Sequence, residues 1–243
     1  MNHWQSFLIA LQFLTTIPVR VAEPVSPKNS GQSLLYYPLI GLIIGGLMLV
    51  SIWVSNEQSA WVTAILTLTV WIILTGGLHL DGLADSADAW LGGLGNKERT
   101  LQIMKDPASG PIAVVVLLLV ILIKLIMLVE LIQHQQCLGI IITVVLARTA
   151  LPLLLLTTPY VRANGLGTLL VNNMPQKSLR IVLFFVILLA VISIGILPLI
   201  VFFSVLLILR YQMLKRLNGT TGDTAGALLE LIEASILTAL VVL

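Results

Sequence analysis

The densest set of chemically active residues in the chain lies in HLDGLADSADAW, His79 to Trp90, where Asp81, Asp85 and Asp88 stand at spacings i, i+4 and i+7. On a helix that turns about 100° per residue these carboxylates fall within a sector of roughly 60°, so one face carries three like charges. Such a face repels itself unless something neutralises it. A hard divalent cation does so through oxygen ligands, and magnesium typically keeps several waters and shares its remaining coordination between a few carboxylates and a substrate phosphate. The pattern predicts an open magnesium site with Asp81, Asp85 and Asp88 as ligands. The plain alternative is a solvated helix end at a membrane surface. His79, nearly opposite Asp81 on such a helix, is either an acid, base or ligand, or a packed histidine at an interface.

Three further groups could serve the same chemistry. KDPASG supplies Lys105 and Asp106 just ahead of Pro111, where Asp106 could equally cap the helix that begins there. NGTTGDTAGALLELIE, Asn218 to Glu233, reads as a glycine-rich turn entering a helix. Its amides and Thr220, Thr221 and Thr224 could cradle a phosphate, and Asp223 would then need a metal between itself and that phosphate. Inside apolar segments stand Lys124, Arg148, Glu230 and Glu233. Arg148 lies about 15 Å deep along its helix at 1.5 Å per residue, and Glu230 and Glu233, i and i+3, are natural counter-charges for Arg148 and Lys124. These four residues form either a structural ion network or a polar cavity that receives substrate phosphate.

The elements that must position these residues are membrane spans. Of 243 residues 58% are apolar and only 10% charged, far fewer charges than a water-soluble globule carries. Seven stretches have the length and polarity of transmembrane helices: Leu34 to Val54, Ala60 to Leu78, Pro111 to Ile132, Leu138 to Thr157, Leu179 to Gly195, Leu197 to Leu214 and Ala225 to Leu243. Gly195 and Pro198 favour a hairpin over one long helix from Ile181 to Leu209. Trp4 to Thr15 has the periodicity of a helix lying on the membrane surface. The expected fold is an all-α polytopic bundle, about seven transmembrane helices plus that interfacial helix, in a single catalytic domain. With the N-terminus inside, eleven of the thirteen basic residues fall in inner segments and none in outer loops. The run from Phe7 to Val19 precedes Arg20 and does not read as a secretory leader. A single cysteine, Cys137, excludes an intrachain disulfide, and a net charge of +2 without a basic arm argues against nucleic acid as a partner.

Taken in order, FLTTIPVR, YPLIGLIIGG, TGGLHLDGLADSADAW, IMKD, YVRANGLG and GTTGDTAGALLEL resemble the adenosylcobinamide-GDP ribazoletransferase family over nearly the whole chain. The resemblance implies a magnesium-dependent enzyme of the cell inner membrane with its site facing the cytoplasm. Its substrates would be adenosylcobinamide-GDP and α-ribazole or α-ribazole 5'-phosphate, and GMP would be released. Asp81, Asp85 and Asp88 would form the metal motif, with Asp106 and Asp223 as further site residues. Asp85 or Asp88 could take the hydroxyl proton, and Lys105 or Arg162 could receive the charge of departing GMP. Pro107, Ala108, Ala163, Asn164 and Asn218 depart from the family pattern in the substrate loops. A CDP-alcohol phosphotransferase would carry DGxxAR, which Asp85 and Ser86 break. A transporter using Arg148, Glu230 and Glu233 would be expected to show related repeats, and none is evident. The sequence leaves oligomeric state open, a homo-oligomer included.

Overall fold

The computed structural model describes residues 3–21, 24–162 and 166–243, so Ala163 and Asn164 lie outside the described residues. Among the described residues the regular secondary structure is helical, save one isolated bridge between Tyr160 and Thr220. Helix α1 (His3–Leu14) and the short α2 (Pro27–Ser33) precede a 3-10 turn (Leu34–Tyr36) that continues into α3 (Tyr37–Val54). Next come α4 (Ala60–Thr75), α5 (Leu78–Gly92), the short α6 (Lys97–Ile103), α7 (Pro111–Gln133) and α8 (Cys137–Thr157). A short α9 (Leu166–Asn172) leads to α10 (Gln176–Ile194), α11 (Leu197–Leu217) and α12 (Gly222–Val242).

Six of these are long and apolar enough to cross a membrane: α3 with its lead-in, α7, α8, α10, α11 and α12. α4, 16 residues and therefore about 24 Å long, meets the same standard only together with α5, which brings the number of crossings to six or seven. The protein is a multi-pass membrane protein with the expected all-α architecture. Its helix starts follow local chemistry. Ser59 caps α4 by accepting from Val62 N, and Pro111 and Pro198 occupy first-turn positions where no amide partner is needed. The chain from Ile181 to Leu209 forms two helices that part at Gly195 and Ile196. Both outer ends return to one end of the bundle, Asn173 packing on Gly31 and Arg216 Nη2 donating to Trp90 O at 2.8 Å.

α8 and α12 run through the centre, mostly buried, while α7, α10 and α11 turn Leu, Ile, Val and Phe side chains outward, as lipid contact requires. Small residues let the central helices meet. Cβ atoms on Gly41 and Gly45 would stand 2.8 and 3.1 Å from Cα atoms of α8, so this stripe admits the α3 backbone where larger residues would not fit. The second span ends at Thr75, short of Leu78, because Gly76 and Gly77 follow with φ of +62° and +68°. Two successive left-handed residues are cheap only for glycine. They bend α5 by 85° from α4, so α5 lies across the bundle end and outside the spans, over the first turns of α7 and α12. α1 lies at the same end, joined there by Thr16 N donating to Leu74 O at 2.8 Å, with Ala10, Leu11 and Leu14 buried and Trp4 exposed.

Candidate active site

α5 brings its acids to the start of α12. A Cβ on Gly82 would lie 2.8 Å from Asp223 O, so the glycine of HLDGLAD is what allows the two backbones this close. Asp81, exposed, and Asp85, half-buried, thereby face Asp223. A second strut fixes the other wall. Thr220 N donates to Pro159 O at 2.8 Å and Val161 N to Thr220 O at 2.9 Å, tying the segment after α8 to the turn before α12. Arg162 consequently reaches Asp223, Nη2 to Oδ2 at 2.9 Å. Around these residues lies a cavity of about 250 Å³ lined also by His79, Tyr160, Gly222 and Gly226 and, from α1, α3 and α8, by Phe13, Tyr37, Leu151 and Leu155.

The electrostatics follow from the crowding. Burial, then the neighbouring charges of Asp81 and Asp223, push the Asp85 carboxyl up to about 6, with Arg162 opposing. His79 behaves in the other sense. Burial, then Arg148 and Lys124 below it, depress its pKa to about 3, so the imidazole is neutral near pH 7 and serves as a hydrogen-bonding group. Its Nδ1 has no partner among the described residues.

Asp88 has a different occupation. Its Oδ1 accepts from Ala113 N at 3.0 Å and its Oδ2 from Gly110 N, so it satisfies two free amides at the start of α7. The helix-capping role that sequence offered to Asp106 therefore belongs to Asp88. Asp106 is exposed, and its Oδ1 accepts from Ala108 N at 3.0 Å within its own loop. Neither Asp106 nor the exposed Lys105 lines the cavity. We expect Asp88→Ala to cost about 1–2 kcal/mol of stability, as loss of a helix cap does, and Asp106→Ala much less. Thermal unfolding of both variants in detergent gives the ranking, and equal losses would contradict it.

Thr221 is likewise engaged in structure. It caps α12, accepting from Thr224 N at 3.2 Å, while Thr224 Oγ1 accepts from Thr221 N at 2.9 Å. Among the glycine-rich turn's expected phosphate contacts, the residues that line the cavity are Gly222 and Asp223. One turn below Leu151 on α8, Arg148 is fully buried and paired with Glu233, which also bonds Lys124, itself bonded to Glu230. Lys124 also stands 4.5 Å from the Trp71 ring centre. The network is neutral and lies under the cavity. Arg148 does not line that cavity, and its Nε and Nη2 have no partner among the described residues.

Among the described residues no three His, Cys, Asp or Glu side chains converge as a ready-made metal cage. What is present is an open set of hard oxygen donors, Asp81 and Asp223 at the cavity and Asp85 beside them. Such a set fits magnesium, which takes its remaining ligands from water and phosphate, and does not fit a soft metal. Sequence reasoning passed over Tyr160, although Pro159-Tyr160 after a span was the available signal, and the aromatic pair Phe13 and Tyr37, for which sequence carries none.

The family profile described as cobalamin-5-phosphate synthase matches residues 6–241. An adenosylcobinamide-GDP ribazoletransferase of Stutzerimonas stutzeri is 48% identical over 235 residues, covering 96% of both chains. One of Pseudomonas fluorescens Pf-5 is 50% identical over 242 residues, 95% of this chain and 96% of that one. No solved structure matches. The profile match and the near-complete coverage at about half identity agree: the chain belongs to the cobalamin-5-phosphate synthase family of enzymes.

Proposed function

We propose that the protein joins α-ribazole, or its 5'-phosphate, to adenosylcobinamide-GDP with release of GMP, at the cell inner membrane and from the cytoplasmic side. The observation that carries this reading is the meeting of Asp81, Asp223 and Arg162 at one cavity on the bundle end, with Asp85 beside them. Asp81, Asp85 and Asp223 would hold magnesium, which when bound supplies positive charge to the substrate diphosphate. The riboside hydroxyl oxygen forms a bond to the phosphorus nearer cobinamide, and the bond from that phosphorus to the GMP oxygen breaks. Arg162, within reach of both the carboxylates and the cavity, stabilises the charge that GMP carries away. Asp85 accepts the hydroxyl proton, since both oxygens of Asp88 are already held by backbone amides. Purified protein incubated with magnesium, adenosylcobinamide-GDP and α-ribazole should yield GMP and a joined corrinoid, and the absence of both would refute the reading.

Orientation is part of the proposal. With α4 counted as a seventh crossing, the chain's two ends lie on opposite faces, with α1, α5 and the basic segments together on one. That face should be cytoplasmic by the excess of Lys and Arg. A periplasm-active reporter fused after Leu243 should be active and a cytoplasm-active one silent, and the converse pattern would reject the arrangement.

A further inference from the structure

The two substrates of the proposed reaction differ greatly in size, one a corrinoid nucleotide and the other a riboside with a flat, apolar, bicyclic base. The cavity discriminates between them. Its volume of about 250 Å³ falls below the roughly 300–1,000 Å³ of pockets that enclose drug-sized ligands, so a corrinoid cannot enter it. Its lining is divided. Asp81, Arg162 and Asp223 stand at the bundle end, while Leu151 and Leu155 form an apolar wall to which Tyr37 adds its ring, each of the three more than nine-tenths buried and Leu151 one helical turn deeper than Leu155. Phe13 stacks on Tyr37, with ring centres 6.2 Å apart and planes 22° apart, and so adds aromatic surface suited to a flat ring. His79, only 4% exposed, lines the same space with an unpartnered Nδ1. Buried polar atoms are rarely left unpaired, so a ligand with a polar atom on an apolar ring completes what the protein leaves open.

Resting on the proposed reaction, we infer that this cavity is the seat of the riboside. Its base lies against Tyr37, Leu151 and Leu155 and a ribose ring hydroxyl, free in both α-ribazole and its 5'-phosphate, lies at Asp81 and Asp223, while the corrinoid remains outside at the bundle end. A neighbouring groove of about 220 Å³, lined by Leu83, Trp90, Met213 and Leu228, is apolar enough for a base. None of Asp81, Arg162 or Asp223 lines it, so a base bound there would leave its hydroxyl away from the carboxylates.

The test uses full-length protein in nanodiscs. Leu155→Trp fills the cavity, Leu155→Ala enlarges it, and Met213→Trp fills the neighbouring groove. Leu155→Trp should raise KM for α-ribazole about tenfold or more, as crowding of an apolar pocket does. Its KM for adenosylcobinamide-GDP should stay within about twofold, on the same scale of pocket effects. Leu155→Ala should shift relative kcat/KM toward a riboside with a longer, tricyclic base, and Met213→Trp should leave the α-ribazole KM unchanged. A rise confined to the corrinoid KM in Leu155→Trp, or a raised α-ribazole KM in Met213→Trp, overturns the assignment. Should Leu155→Trp fail to fold, an unchanged base preference in Leu155→Ala does so by itself. Failure of the underlying reaction shows separately, as no GMP from wild type. Calorimetric binding of α-ribazole to wild type and to Leu155→Ala then decides the cavity assignment, and equal affinities for short and long bases in both would reject it.

Discussion

Asp81→Asn protein is expected to release GMP at least about a hundredfold more slowly than wild type, because charge stabilisation by a metal in phosphoryl transfer is worth several kcal/mol and each 1.36 kcal/mol is tenfold. Asparagine keeps the size and much of the hydrogen bonding of aspartate but lacks its charge, so folding should be little affected. Asp85→Asn and Asp223→Asn should behave alike, each needing more magnesium for half-maximal rate. Asp88→Asn should not share that shift, since both oxygens of Asp88 hold the start of α7. The pH dependence has a definite sign. Burial and the neighbouring Asp81 and Asp223 push the Asp85 carboxyl up to about 6, above the ordinary carboxylate range, so below that pH it carries a proton and loses its charge as a ligand. The magnesium requirement should therefore grow as pH falls through about 6 in wild type and change less in Asp85→Asn. The decisive measurement is magnesium titration of GMP release at matched folded concentration. Near-normal rates with unchanged magnesium dependence in Asp81→Asn and Asp85→Asn would reduce these residues to a solvated acidic face.

Arg148→Met should destabilise the protein by about 3–5 kcal/mol, the usual consequence of removing one partner from a buried ion pair. Lys124, Arg148, Glu230 and Glu233 together are neutral, and all four are buried. Without Arg148 the group carries a net negative charge at membrane depth, where few alternatives exist to neutralise it. Adding Glu233→Gln restores neutrality by leaving Lys124 with Glu230, and should recover part of the loss. Glu233 is the better second site than Glu230 because Arg148 Nη1 bonds it directly. A thermal-unfolding double-mutant cycle in detergent gives the coupling, and additive losses would reject direct pairing. The same variant separates structure from substrate contact. Folded Arg148→Met protein with a raised KM for either substrate would show that the guanidinium reaches substrate from beneath the cavity.

The bilayer makes much of this protein legible from sequence, because a hydrocarbon solvent forces every crossing to be an apolar helix of set length. Six of the seven expected spans and the division of Ile181 to Leu209 into two helices follow from length, polarity and the residues that interrupt them, while the second is shortened and bent into α5 at Gly76 and Gly77. Local spacing likewise identified HLDGLAD as an acidic helix and Glu230 with Glu233 as the counter-charges of Lys124 and Arg148. Which acid does what was decided only by tertiary contact. By type and position Asp106 is the expected cap of α7, yet Asp88 takes the role because the Gly76-Gly77 bend lays α5 over that helix's free amides. Asp223 joins Asp81 and Asp85 because Gly82 admits the start of α12, and Arg162 joins Asp223 because two strand-like hydrogen bonds tie distant loops together. Periodicity places residues on faces of one helix. The approach of two helices, the bend between them and the cavity left among them depend on contacts between residues far apart in the chain, and only the folded protein determines those.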